Sequence, residues 1–211
     1  MIIAVDGPAA SGKGTIARAL AAHYGLPHLD TGLLYRAVGL TLSRAGGDPA
    51  SEQDASAATL FPDSLLADPE LRTEETGALA SRVSTHPAVR AALMERQRSF
   101  AHQAGGAVLD GRDIGTVIVP DADAKLYVTA SPRVRAERRA IEMERHGQKA
   151  DIAAMEAEIT ARDARDMGRD NAPLTQAADA DLLDTSELGI DEAIQRAIAL
   201  VDSRIGRHQQ E

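Results

Sequence analysis

The start of the chain contains the feature that most restricts how it can fold. A short apolar run at residues 2–5 predicts a buried strand, and a glycine-rich loop follows it directly. The loop and the start of the next helical segment consist of Gly7, Pro8, Ala9, Ala10, Ser11, Gly12, Lys13, Gly14 and Thr15. Glycines let the backbone approach an anion with its N–H groups turned inward, and a helix directs its positive end to the same place. The pattern therefore predicts a phosphate-binding loop.

The side chains at the end of this loop narrow the prediction. The general pattern, G-x-x-x-x-G-K-[ST], has a hydroxyl directly after the lysine, whereas this chain has Gly14 there and Thr15 one position later. That variant is typical of nucleoside monophosphate kinases. We expect Lys13 to contact the outer phosphates of a nucleotide and the Thr15 hydroxyl to ligate Mg²⁺. The alternative is a glycine-rich turn that binds nothing, which would require all of these features to coincide.

Size and charge limit the class of protein. The 211 residues, of which 44% are apolar, suffice for one main domain with smaller appended lobes. The formal net charge of −9 argues against a protein that holds nucleic acid over its whole surface. Three tyrosines, two phenylalanines and no tryptophan are too few for a base-stacking platform. We therefore expect no nucleic-acid partner. As a separate expectation, the chain is a monomer.

The sequence also lacks the residues for thiol chemistry and for a membrane anchor. There is no cysteine, which excludes disulfides, thiolate catalysis and cysteine zinc sites. The six histidines show no metal-ligand spacing. No apolar run is long enough for a signal peptide or a membrane span, so we expect a cytoplasmic protein with no membrane partner.

Short apolar runs alternate with longer helical patterns along the chain. Strands are predicted at residues 2–5, 108–109, 126–128 and 182–183, and helices at about 14–24, 32–45, 72–84, 87–103, 132–146, 151–168 and 191–206. This alternation predicts an α/β fold, with a parallel sheet flanked by helices and a ligand at the carboxyl ends of the strands. Residues 46–70 contain three prolines and show weak periodicity, and we expect them to form a partly helical insertion rather than core.

A possible phosphate ligand lies in the segment 30–36, whose sequence is Asp-Thr-Gly-Leu-Leu-Tyr-Arg. Thr31 can cap a helix that begins at Gly32, and Arg36 then lies just over one turn inside that helix. A guanidinium at this place can bind a phosphate with two parallel hydrogen bonds. The alternative is a helix cap followed by an ordinary surface arginine.

A second strand ends in charged residues and glycine, with the sequence Asp-Gly-Arg-Asp-Ile-Gly-Thr at residues 110–116. Asp110, at the strand tip, can orient Mg²⁺ through water. Arg112 and Asp113 are expected to project toward the ligand. An Asp-Gly turn with a local ion pair is the alternative.

Arginines are dense in a third segment. Arg162, Arg165 and Arg169 recur at spacings of three and four, so on one helix they share a face, and Asp166 lies one turn beyond Arg162. Guanidinium groups this close repel one another unless an anion lies between them. Because 20 of the 23 basic residues are arginines, a solvated helix in an arginine-rich chain is the alternative.

Taken together, these motifs resemble those of the bacterial cytidylate kinase family, in the same order over nearly the whole chain. The segments 110–116 and 162–166 are much narrower signals than the phosphate loop. The resemblance implies a P-loop kinase fold with a core at 1–30, 85–144 and 174–211, a monophosphate-binding lobe at about 31–84, and a lid at about 145–173. Thr31 stands where the family usually has serine. The segment between Gly46 and Arg72 is too short for the small antiparallel sheet that the family inserts there.

The resemblance also implies roles for individual residues. Those expected around the cytosine are Ser81, Arg90, Asp113 and Arg169, those expected on phosphates are Arg36, Arg112 and Arg162, and Thr31 is a further substrate contact. Asp166 would hold the sugar hydroxyls. The lid arginines, Arg162 and Arg165, would act with Lys13 and Arg112 on the transferred group.

The implied reaction is transfer of the γ-phosphoryl group of ATP to CMP or dCMP. Asp113 can accept a hydrogen bond from the cytosine N4 amino group, whereas uracil would oppose it with another acceptor. Three alternatives stay open at this point. One is a related kinase that acts on UMP, AMP or a metabolite hydroxyl, with Asp113 as the base for a hydroxyl acceptor. The others are a regulator that binds or hydrolyses ATP without an acceptor, and an arginine-rich RNA binder.

Overall fold

The computed structural model describes residues 1–145 and 149–208. Residues 146–148 of the predicted lid and residues 209–211 of the predicted core lie outside the described residues, as does the last residue of the helix predicted at 132–146. By packing, the chain divides into a first unit of residues 1–28 and 101–211 and a second unit of residues 29–100. The assignment of core, lobe and lid roles stays a prediction.

Five strands form one sheet. They are β1 (Ile2–Asp6), β2 (His28–Asp30), β3 (Ala107–Gly111), β4 (Ala124–Thr129) and β5 (Asp181–Asp184), in the spatial order β2-β3-β1-β4-β5. β1 runs parallel to β3 and β4, and β5 runs parallel to β4. Asp6 pairs with Gly111 on one side and with Tyr127 on the other, so the carboxyl ends of the central strands meet at one edge. The predicted parallel sheet is confirmed.

β2 was not among the predicted strands, because it has only three half-buried residues and a single apolar side chain, Leu29. Such a segment has no alternation from which a strand could be recognised.

The helices follow the predicted pattern with one addition. They are α1 (Lys13–Tyr24), α2 (Thr31–Arg44), α3 (Glu52–Ala57), α4 (Glu74–Val83), α5 (Pro87–Ala101), α6 (Pro132–Arg145), α7 (Ile152–Met167) and α8 (Ile190–His208). Two short 3₁₀-helices, Asp63–Ala67 and Pro69–Arg72, precede α4, and one π-helical turn, Ile114–Ile118, follows β3. Among the described residues, no helix has both the length and the apolar character to span a bilayer.

The first unit has its core between the sheet and α1 and α8. β1 is buried along almost its whole length, as the near-continuous apolar run predicts for a central parallel strand. The core side chains include Ile3, Val5, Ile16, Leu20, Val108, Leu126, Val128, Ala197 and Val201. A smaller apolar cluster joins α6 to α7 and consists of Ala136, Ala140, Met155 and Ile159.

The second unit has its own core, which includes Leu34, Val38, Leu42, Leu71, Val83, Val89 and Leu93. Residues 46–70 contribute to it, since Ala55 is fully buried and Phe61 nearly so. The expectation that this segment lies outside the core was therefore wrong. Its helices are too short to show periodicity, but caps such as the Ser51 hydroxyl on the Asp54 N–H fix them. Residues 46–72 contain no strand, in line with their short length.

Candidate functional site

The glycine-rich loop joins β1 to α1 and has a backbone that only particular residues allow. At Gly7 a Cβ atom would lie 2.0 Å from the backbone oxygen of Val128, so no larger residue fits there. Gly12 has φ 89° and stands at the N-cap of α1, and Ala10 is also left-handed with φ 59°. The loop therefore wraps tightly before it enters the helix at Lys13.

Donors outside the loop hold its carbonyl groups. Arg135 Nη1 donates to the Ala9 oxygen at 3.0 Å, and the Thr185 hydroxyl donates to the Ser11 oxygen at 3.1 Å. Because the C=O and the following N–H of a trans peptide point in opposite directions, the N–H groups of Ala10 and Gly12 point away from these donors. That orientation suits an anion on the inner side of the loop. Sequence reasoning missed Arg135, because α6 reads as a charged surface helix.

Lys13 is half-buried, and its Nζ donates to the Pro8 oxygen at 3.3 Å. Thr15 is exposed, and its hydroxyl accepts from Arg18 Nη2 at 3.4 Å. The Lys13 side chain therefore contacts the phosphate loop itself. The Thr15 hydroxyl is accessible to solvent in the first turn of α1.

The predicted metal residue Asp110 is the penultimate residue of β3 and is buried. Its Oδ1 lies 2.7 Å from His28 Nε2, and its Oδ2 lies 3.7 Å from the position of a Cβ on Gly14. The Asp110 carboxylate is thus close to Gly14, which directly precedes Thr15. Carboxylate oxygens are the ligands that Mg²⁺ prefers. Within residues 1–145 and 149–208 no cluster of three or more His, Cys, Asp or Glu side chains forms a ready metal site.

Asp6 is a buried carboxylate at the end of β1 that sequence reasoning did not use. Its Oδ1 and Oδ2 accept from the N–H groups of Ile114 and Gly115, each at 2.8 Å. The pKa of Asp6 is raised to about 7, mainly by burial and in smaller part by the charge of Asp113, against the lowering effect of these two hydrogen bonds. The carboxylate fixes the π-helical turn directly after Arg112 and Asp113. The only sequence signal was an acid at the end of an apolar strand.

Asp166 joins two of the predicted arginines. Its Oδ2 accepts from Arg112 Nε at 2.9 Å and its Oδ1 accepts from Arg169 Nη2. Burial alone would raise the pKa of Asp166, but the charges of Arg112 and Arg169, the hydrogen bond from Arg112 and the charge of Arg162 together hold it below its usual value. The ionised carboxylate orients both guanidinium groups before any ligand arrives.

The predicted helical face of Arg162, Arg165 and Arg169 is only partly correct. α7 ends at Met167, where the Gly168 N–H bonds to the Ala164 oxygen at 2.9 Å, so Arg169 lies beyond the helix. Its side chain nevertheless returns to Asp166. Arg162 is half-buried and Arg165 is exposed on α7.

The second unit positions the other predicted substrate residues on α2, α4 and α5. The helix α2 begins at Thr31, one residue before the prediction, and Asp30 occupies its N-cap, so Thr31 is not the cap. Helix ends are the least certain part of a sequence prediction. Thr31 is buried at the first position of the helix.

Arg36 on α2 is held by backbone carbonyls. Its Nη1 donates to the Leu71 oxygen at 2.7 Å and to the Thr73 oxygen at 2.8 Å. A Cβ on Gly77 would lie 2.8 Å from Arg36 Nη2, so only glycine lets α4 approach this guanidinium so closely. The structure thus gives Arg36 a fixed position.

Ser81 on α4 and Arg90 on α5 are both buried. The guanidinium carbon of Arg90 lies 5.6 Å from the centre of the Tyr35 ring, which is a cation–π contact. The Ser81 hydroxyl is buried and makes no hydrogen bond in the structure. A buried hydroxyl of this kind has capacity for a ligand atom.

The glycine-rich loop between β1 and α1, on a parallel sheet flanked by helices, defines a nucleotide-binding protein of the P-loop class. The family model for cytidylate kinase matches residues 3–203. The chain therefore belongs to the cytidylate kinase family.

Relatives agree with this assignment. The cytidylate kinase of Bradyrhizobium sp. (strain ORS 278) is 56% identical over 212 residues, covering 99% of this chain and all of the relative. The cytidylate kinase of Xanthobacter autotrophicus (strain ATCC BAA-1158 / Py2) is 58% identical over 205 residues, covering 97% and 98%. The crystal structure of an uncharacterized protein from Eubacterium ventriosum ATCC 27560 shares the fold, with TM-score 0.56, 18% identity and coverage of 96% and 99%. The predicted family, its ATP-dependent kinase activity on cytidylate and the fold class are confirmed.

Proposed function

We propose that this chain transfers the γ-phosphoryl group of ATP to the phosphate of CMP or dCMP, giving ADP and CDP or dCDP. The observation that supports it most is the phosphate loop, whose backbone packs closely at Gly7 and whose Ala9 and Ser11 carbonyls accept hydrogen bonds from outside the loop. The chain also matches the family over residues 3–203. A loop of this kind would present its N–H groups to a polyphosphate.

On the ATP side, residues 7–15 would surround the β- and γ-phosphates, with Lys13 moving from the Pro8 carbonyl to the phosphates. Thr15 and Asp110 would hold Mg²⁺, Asp110 through water. Bound Mg²⁺ would neutralise part of the phosphate charge. The chain's own contribution is to orient the triphosphate and to fix its terminal group.

On the acceptor side, the proposed ligands of the phosphate are Arg36, Arg112 and Arg162. The proposed contacts of the base are Ser81, Arg90, Asp113 and Arg169. Asp166 would bind the sugar hydroxyls, and Thr31 is a further proposed substrate contact. Asp113 is buried, so an unmatched acceptor facing it would be costly. Cytosine offers a donor at N4, whereas uracil offers an acceptor there. This difference would set the preference for cytosine.

The reaction needs no protein base. The second pKa of a phosphate monoester is about 6, so the acceptor oxygen is mostly ionised at neutral pH. Catalysis then depends on placement and on positive charge near the transferred group, which Lys13, Arg112, Arg162 and Arg165 would supply. A lid over the site would keep water from acting as the acceptor.

Steady-state kinetics with CMP, dCMP, UMP and AMP under one set of conditions tests the proposal. We expect CMP or dCMP to be preferred, and Asp113→Asn to reduce kcat/KM for CMP by about 10- to 100-fold while changing that for UMP much less. Asp121→Asn is the matched control, because the Asp121 side chain is 68% exposed. Equal kcat/KM values for all four acceptors would refute the proposal. ATP hydrolysis that does not require an acceptor would instead indicate a regulatory protein that binds and hydrolyses ATP.

We further propose that the chain acts as a cytoplasmic monomer and needs neither nucleic acid nor a membrane. The net charge of −9 supports this, since it disfavours non-specific binding to polyanions. Light scattering after size exclusion should give the mass of one chain, 22.3 kDa. A dimer mass would contradict the monomer.

A further inference from the structure

Arg135 links three parts of the first unit. It lies near the start of α6, and its side chain is only 3% exposed. Its Nε donates to the Ala130 oxygen at 2.8 Å, its Nη1 to the Ala9 oxygen at 3.0 Å and its Nη2 to Asp163 Oδ2 at 2.5 Å. The planar fork of a guanidinium suits such a three-way contact, whereas a lysine ammonium has no such fork.

We infer that Arg135 is a positioning residue that couples the phosphate loop to α7, so that triphosphate binding and the placement of the α7 arginines favour one another. The inference rests on the proposed binding of ATP at this loop, but it does not depend on the acceptor.

The position of Asp163 explains how the coupling would work. Asp163 lies between Arg162 and Arg165 on α7, and helical residues point in directions about 100° apart per residue. Holding Asp163 against Arg135 therefore sets the directions in which the neighbouring arginines point. Packing of Met155 and Ile159 on α6 keeps the two helices together, so the ion pair is left to fix the orientation of α7.

The Arg135–Asp163 ion pair is buried, so its loss should cost more free energy than the loss of a surface ion pair. Both residues are buried, and Asp163 Oδ1 makes no hydrogen bond in the structure. A buried charge that loses its partner is costly, because the remaining ion has little solvent to stabilise it. A substitution at Asp163 should therefore change the position of Arg135 and, through the hydrogen bond from Arg135 to the Ala9 carbonyl, that of the phosphate loop.

Calorimetric titration with Mg·ATP is the direct test, because Asp163 itself has no proposed contact with the nucleotide. Asp163→Asn keeps the shape and one acceptor but removes the charge, and we expect it to raise the Kd for ATP about 5- to 10-fold. Arg135→Lys should raise it more, and both should lower kcat and raise KM for CMP, because Arg162 on α7 is a proposed ligand of the acceptor phosphate. Arg196→Lys is the matched control, since the Arg196 side chain is 57% exposed and pairs with Glu192 on its own helix, α8.

A cycle with Arg165→Met separates coupling from a purely structural role. Arg165→Met should weaken ATP binding in the wild-type chain and weaken it less in the Asp163→Asn background. A structural role alone would give independent, multiplicative effects together with a lower Tm. Wild-type ATP affinity in both variants, strictly independent effects, or an Asp163→Asn chain that does not fold would each overturn the inference. Absence of ATP binding by the wild-type chain would instead refute the proposed function.

Discussion

Replacing Asp6 with asparagine should change how the stability of this protein depends on pH. The pKa of Asp6 is raised from its usual value of 3.8 to about 7, mainly because the carboxyl is buried. The folded state therefore keeps a proton that the unfolded state releases. The stability contributed by this proton is fully present below pH 3.8 and is lost as the pH rises through about 7.

The magnitude follows from these two values. At pH 5.5 the retained proton contributes about 2 kcal/mol to the free energy of unfolding, and at pH 8 it contributes nearly nothing. Asparagine does not titrate. It also keeps only one acceptor for the two N–H groups of Ile114 and Gly115, which costs about 1–3 kcal/mol at any pH. Hence the stability advantage of the wild-type chain over Asp6→Asn should shrink by about 2 kcal/mol from pH 5.5 to pH 8.

Urea unfolding of both proteins at the two pH values measures this difference, provided that the m-values agree. Asp191→Asn, at an exposed position in the first turn of α8, controls for general charge effects. If the difference between wild type and Asp6→Asn stays constant within about 0.5 kcal/mol, the carboxyl is not held protonated by burial and the reasoning fails.

Two further substitutions test the phosphate loop and the acceptor side. Gly7→Ala places a Cβ 2.0 Å from the Val128 oxygen, so it should lower Tm and abolish ATP binding as measured by calorimetry. Gly189→Ala is the control and should do neither, because the space around Gly189 is open. A normal Kd for ATP in Gly7→Ala would refute the argument that the loop allows only glycine at this position. Arg36→Met should raise KM for CMP about tenfold or more and leave KM for ATP nearly unchanged. Because the Arg36 guanidinium also anchors two backbone carbonyls, Tm should fall modestly. Unchanged CMP kinetics would remove Arg36 from the acceptor site.

The fold could be predicted from the sequence where local patterns were strong. Residues 2–5 are a continuous apolar run followed at once by the glycine loop, and β1 and α1 lie where that pattern predicts. The parallel sheet followed from the alternation of strands and helices. β2 and α3, with three and six residues, were too short to produce a pattern of their own.

The candidate site could be predicted only in part, because several of its contacts join residues far apart in the sequence. Asp6 meets the Ile114 N–H across 108 positions, and Arg135 meets the Ala9 carbonyl across 126. No local spacing reveals such partners. Arg112 and Asp166 were recognised from motifs, but their ion pair to each other was not.

The observed contacts of Asp166 bear on whether one carboxylate can both orient arginines and bind a sugar. Arg112 and Arg169 each occupy one of its oxygens, which could suggest that no capacity remains. An ionised carboxylate, however, has about four lone-pair sites, so two stay available after both bonds are made. The lowered pKa of Asp166 keeps it ionised at neutral pH, and therefore acceptor-only. A ribose hydroxyl is a donor that fits this capacity, so Asp166 can bind the sugar without releasing the arginines that are proposed to bind the phosphate and the base.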